Sequence, residues 1–78
     1  MTLQIDKDAD ALYIELVKDV QAAETLELSL DIYVDVDVQG NVIGIEMLNF
    51  SEYERLEIPS FNTPAKLDDV KAFGAQFA

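Results

Sequence analysis

From Leu26 to Val38 every even position is aliphatic: Leu26, Leu28, Leu30, Ile32, Val34, Val36, Val38. The odd positions between them are Glu27, Ser29, Asp31, Tyr33, Asp35 and Asp37. A period of two held over this length demands extended chain with one buried and one wet face. Gly40-Asn41 interrupts the run, and Val42-Ile43-Gly44-Ile45-Glu46-Met47-Leu48 resumes it. The rest of the chain must pack around a long strand, a turn and a return strand.

The alternating run exceeds the usual strand length, which predicts a bend or bulge around Ser29 to Asp31. Its first half is expected to pair with the preceding strand and its second half with the return strand. Asp37-Val38-Gln39-Gly40 has the Asp-first, Gly-fourth preference of a type I turn, and the glycine suits a left-handed position. On the return strand Ile43, Ile45 and Met47 are read as core-facing, with Val42, Gly44, Glu46 and Leu48 opposite. Upstream, Leu3 and Ile5 alternate with Gln4 and Asp6 as a short first strand. Asp6 to Asp10 then suits a turn, because Asp bonds nearby backbone amides. Ala11 to Val17 reads as a second strand with Leu12, Ile14 and Leu16 inward and Tyr13 and Glu15 outward.

Beyond Leu48 the period lengthens. Phe50, Tyr53 and Leu56 recur every three residues, and Ser51-Glu52-Tyr53-Glu54 fits a capping box, so a short helix is expected before Pro59. Thr63-Pro64 reads as an N-cap followed by proline in the first helical turn. Leu67, Val70, Phe73 and Phe77 then recur at helical spacing, with Gly74 weakening the last turn. The apolar stripe suits packing on the chain's own sheet; a handle for a partner is the alternative. The expected fold is therefore α+β, mainly β: a small antiparallel meander of four or five strands with one or two C-terminal helices. It forms a single domain over 1–78, with the sheet in 1–50 and the helical extension in 51–78.

Seventy-eight residues without cysteine exclude disulfides and thiolate metal sites. So small a core gives little margin, and self-association or a docked terminal helix is the natural supplement. The net charge is −11, and its distribution is uneven. Residues 1–50 carry eleven acids against two bases, or −9, while residues 51–78 carry five against three, or −2. Such a surface repels phosphate backbones and anionic membranes, which argues against nucleic-acid or membrane partners and suits a basic protein. No apolar run approaches spanning length and the first residues lack an export pattern, so a cytoplasmic protein is expected.

Two segments carry a resemblance. Asp6-x-x-Ala9-Asp10-Ala11-Leu12-Tyr13-Ile14, followed by Val34-Asp35-Val36-Asp37-x-x-Gly40-Asn41-Val42-Ile43-Gly44-Ile45-Glu46-x-Leu48, resembles a small prokaryotic family, domain of unknown function twenty-two eighty-three. The resemblance covers residues 3–51. It implies a common fold and, because members are sometimes encoded beside small toxin-like proteins, an antitoxin-like or inhibitor role. Relatives tend to turn at a glycine or proline just before the Val-Asp-x-Asp segment. Here Leu30-Asp31-Ile32 stands instead, which suggests one continuous bent strand in place of two.

Catalytic chemistry finds few of its usual residues. There is no histidine and no cysteine, the serines lack an activating partner, and three scattered glycines make no phosphate cradle. No enzymatic activity and no cofactor are expected. Asp6-x-Asp8-x-Asp10 resembles the start of a calcium loop, but Ala11 and Val17 stand where glycine and glutamate are required. A calcium-binding module is thus the alternative function, and a structural homo-oligomer without other partners is a third. The leading expectation is a non-enzymatic interaction domain, a homodimer, whose acidic face meets a basic protein. Its residues are Tyr13, Glu15, Asp31, Tyr33, Asp35 and Glu46. Tyrosines supply anchoring area and carboxylates speed encounter. Gly44 is expected to be small because Tyr13 or Tyr33 lies across it.

Overall fold

A computed structural model describes residues 1–53, 58 and 60–75 of the chain. Five strands form one antiparallel sheet: β1 (Thr2–Asp6), β2 (Ala11–Glu15), β3 (Glu24–Ser29), β4 (Ile32–Val36) and β5 (Val42–Leu48). A 3-10 turn (Phe50–Glu52) and helix α1 (Leu67–Ala75) follow. The fold is α+β, mainly β, as the sequence implies. Among the described residues no helix is long and apolar enough to cross a membrane.

The strand order is β1-β2-β5-β4-β3. Strands β3, β4 and β5 form a meander, and β2 then lies beside β5 rather than β3, giving a Greek-key arrangement. This corrects the expected pairing. The first half of the alternating run pairs with its own second half, Leu26 opposite Val34 and Thr25 opposite Asp35. The run is two strands, because Leu30 and Asp31 turn the chain between the paired Ser29 and Ile32. Asp31 adopts φ 69°, a left-handed conformation that glycine takes at no steric cost. Asp is among the few other residues that visit this region readily. The expected irregularity is present as a bulge between Glu27 and Ser29.

Leu12, Ile14, Ile32, Val34, Val36, Ile45 and Met47 line one face of the sheet and are buried. Val70 and Phe73 of α1 close over them, and Phe61 meets Phe73 edge-on at 6.0 Å between ring centres. The C-terminal helix therefore packs on its own sheet. Leu30 and Val38, which share the run's parity, lie in turns and are exposed. The return strand is read one residue out at its start. A register shift pairs Val36 with Val42 but Asp35 with Gly44, leaving Ile43 as the extra residue. Val42 thus joins the core, and the Ile43 carbonyl accepts from the amides of both Leu16 and Val17, just past the end of β2.

The C-terminal signals are used differently from the sequence reading. Ser51 lies within the 3-10 turn and donates its hydroxyl to Asp10 rather than capping; Glu54, Leu56 and Phe77 lie outside the described residues. Thr63-Pro64 is a cis peptide three residues ahead of the helix, and Ala65 forms a bridge with Val42. Asp69 supplies the helix cap by accepting from the Lys66 amide at 2.8 Å.

The Asp37–Gly40 turn forms as expected. The Gly40 amide donates to the Asp37 carbonyl at 3.0 Å, and Gly40 takes φ 81°. The Asp37 carboxylate accepts from the amides of Gln39 and Asn41 and from the Asn41 side chain. The bond from the Asn41 amide is the main cause holding this carboxyl below its ordinary value of 3.8. A carboxyl with a depressed folded pKa stabilises the fold above its unfolded pKa, and that contribution is lost as pH falls through the folded value. Asp37→Ala is therefore expected to lower the melting temperature at pH 7 and to make the loss of stability below pH 3.8 shallower than in the wild type. Thermal melts across the acid range check both; parallel wild-type and variant curves would contradict the assignment.

Candidate functional site

The core leaves the opposite face of the sheet to polar side chains, and the register arranges them in rows. Tyr13 on β2 and Tyr33 on β4 both stand opposite Glu46 on the central strand β5. Gln4 on β1 and Glu27 on β3 extend this row to the two edges. The adjacent row runs Thr2, Glu15, Gly44, Asp35, Thr25. Five of the six residues picked out by sequence thus share one face: Tyr13, Glu15, Tyr33, Asp35 and Glu46. Directly opposed side chains in such rows are within contact range of one another.

Tyr13 is fixed within this face. A Cβ added to Gly44 would lie 1.7 Å from the Tyr13 hydroxyl oxygen and 2.3 Å from the ring carbon bearing it. Of the two tyrosines expected across the glycine it is Tyr13 that lies there, and its ring reaches over β5 to β4. There its hydroxyl donates to Asp35 Oδ2 at 2.9 Å, while Thr25 donates to Asp35 Oδ1 at 2.6 Å. Burial, the bond to Asp35, and the charges of Asp35, Glu15 and Glu46 push the Tyr13 phenol well above its ordinary range. At neutral pH it is a protonated donor. Thr25 belongs to the site but escapes sequence reading, because its place opposite Asp35 follows only from the β3–β4 pairing.

Asp31 is not brought to this face. Its carboxylate accepts from Asn49 at 3.1 Å and from the Tyr53 hydroxyl at 3.2 Å, and its carbonyl accepts from the Leu48 amide. Burial and the bond to Asp31 raise the Tyr53 phenol above its ordinary value. Asp10, also left-handed at φ 52°, does parallel work: its carboxylate holds Ser51 and its carbonyl accepts from Phe50. The turns of the two flanking hairpins thus clamp the exit of β5 from both sides.

Asp6 likewise serves its turn, accepting from the amides of Asp8 and Ala9. Among the described residues, no group of three or more metal-ligating side chains comes together. Glu46 differs from the other acids of the two motifs. It is exposed and, among the described residues, has neither hydrogen bond nor ion pair. An open groove of about 610 Å³ borders it, lined by Gln4, Asp8, Ala11, Tyr13 and Leu48 among others.

A family described as "Protein of unknown function (DUF2283)" matches residues 3–51, all of the sheet but Thr2 and most of the turn that leaves it. The chain belongs to the DUF2283 family. No curated protein and no solved structure matches it significantly. Within the DUF2283 segment both tyrosines, Glu46 and Gly44 fall inside the match, whereas α1 lies beyond it.

Proposed function

We propose that this DUF2283 protein is a non-enzymatic acidic interaction domain that binds a basic protein through the Tyr13–Glu46–Tyr33 row. Glu46 carries the reading. Asp6, Asp10, Asp35 and Asp37 each satisfy backbone or side-chain donors and so have work in folding. Glu46 stands exposed in the middle of the central strand, where glutamate has poor strand propensity and aromatic or β-branched residues pack better. It is flanked across both ladders by tyrosines. A carboxylate flanked by two tyrosines in register offers a guanidinium or ammonium group an ion pair with aromatic surface beside it, a combination that favours arginine.

The remaining acids act at longer range. Glu15 and Glu27 keep the face negative and would accelerate encounter with a positively charged partner. An antitoxin-like role fits this chemistry, since a small acidic face can occlude a basic functional surface on its target. Asp35 is a positioning group here, because both of its oxygens are already taken by Tyr13 and Thr25.

With the partner in hand, Glu46→Lys is expected to slow association at low salt by about tenfold. Tyr33→Ala is expected to weaken affinity by about tenfold, or ~1.4 kcal/mol. Neither side chain holds a core position, so both variants should melt near the wild type. Association and dissociation rates by surface-immobilised binding check this. Unchanged rates in both variants would remove the face from consideration.

A further inference from the structure

The two edges of the sheet are guarded very differently. Edge strand β3 carries Glu24 and Glu27 and is interrupted by the bulge between Glu27 and Ser29. Charge and bulges are the devices by which proteins stop edges from pairing. Strand β1, Thr2-Leu3-Gln4-Ile5-Asp6, has neither a bulge nor a proline and only one charge. Its register with β2 is regular throughout, so its outer backbone groups form an unbroken template.

The same strand leaves apolar surface uncovered. Leu3 stands opposite Ile14 and Ile5 opposite Leu12, so both belong to the core face by register. They nevertheless remain 49% and 58% exposed, because α1 packs nearest β3 at the far side of the sheet. The core therefore stops short at an edge that can also accept another strand.

We propose that β1 is the docking edge for a second copy of this chain, paired antiparallel about a two-fold axis through Gln4. The strand is self-complementary in that register. Leu3 meets the copy's Ile5 on the core face, Gln4 meets Gln4, and Thr2 meets Asp6, so apolar opposes apolar and no like charges are opposed. That self-matching is what a two-fold interface requires. Two chains of net charge −11 approach better along edge strand β1, with its single acid, than along the other edge, β3, with two. By the same token β1 offers little to steer a basic protein. The result is a ten-stranded sheet whose Leu3 and Ile5 side chains cover one another. One five-residue strand per copy gives a small interface, which places association in the concentration-dependent class.

The test does not depend on the basic-partner reading. Light scattering on the purified chain should show a mass rising with concentration from 8.7 kDa towards twice that value. Added salt should favour the dimer by screening like charges, the opposite of its effect on a basic complex. Leu3→Lys places charge on the edge strand and should return the mass to that of the monomer, while the variant still unfolds in one cooperative transition. Because the chain has no cysteine, Gln4→Cys gives an unambiguous probe. Opposed residues of antiparallel strands lie close enough for a disulfide. Gln4→Cys should oxidise to a covalent dimer at least about tenfold faster than Val38→Cys at the exposed turn, through effective concentration. A monomer at all concentrations and salts would overturn the proposal. So would a dimer that Leu3→Lys leaves intact, or equal oxidation of the two cysteine variants. Loss of a heterologous partner on Leu3→Lys, with the wild-type mass fixed at the monomer, would assign the edge to that partner instead.

Discussion

Phe73→Ala is expected to cost about 3–4 kcal/mol, more than half of what a domain this small commonly has. Phe73 is among the largest fully enclosed side chains, and it anchors α1 over the sheet. Truncation removes its transfer free energy, leaves a cavity between α1 and the sheet, and orphans the edge contact from Phe61. With a urea dependence of about 1 kcal/mol/M, the midpoint should fall by about 3 M. This also tests the division of labour in the chain. The helix lies beyond the matched family segment, yet the core cluster is built with it. A midpoint unchanged by Phe73→Ala would mean that the sheet stands without its helix. The helix would then be free to serve as a handle.

Gly44→Ala should destabilise by about 2 kcal/mol, combining displacement of a packed ring with loss of a hydrogen bond. The new methyl would occupy space now taken by the end of the Tyr13 ring. The ring would have to leave β5 and release Asp35, whose bond it makes from two strands away. In a Tyr13→Ala background the same glycine substitution should be nearly silent, because the clash and the hydrogen bond are both already gone. The double-mutant cycle thus predicts coupling of about 1–2 kcal/mol between positions 13 and 44. Additive effects would show that Gly44 is required for its backbone rather than for the tyrosine.

Why some of this was readable and some was not follows from range. The two-residue period separates inward from outward side chains within β3 and β4 and fails at Leu30 and Val38, which lie in turns, and Asp37 to Gly40 declares its turn through local hydrogen bonds. That a tyrosine, Tyr13 or Tyr33, lies over Gly44 was readable because a bare backbone in a strand invites a ring; that it is Tyr13 follows only from the structure. The turn at Leu30-Asp31 was hidden because both residues keep the parity of the alternating run, so the turn signal of Asp31 reads as one more wet-face position. Its left-handed geometry rests on Asp31 reaching Asn49 and Tyr53, far along the chain. The bulge at Ile43 was hidden for a related reason: an apolar extra residue looks the same on either face until the partner strands are known. Strand order was the least accessible, since residues 16–23 carry the chain past two strands that are not yet made. The rows around Glu46 depend on that order, so they emerge only from the register.

The acidic-face reading is tested most directly by a paired pull-down from the native host. Wild-type and Glu46→Lys baits would be run side by side at low and high salt, with bound proteins identified by mass spectrometry. A stoichiometric basic protein is expected on the wild-type bait at low salt, released at high salt and depleted on the Glu46→Lys bait. The same protein captured equally by both baits, or no protein captured by either, would contradict the acidic-face reading.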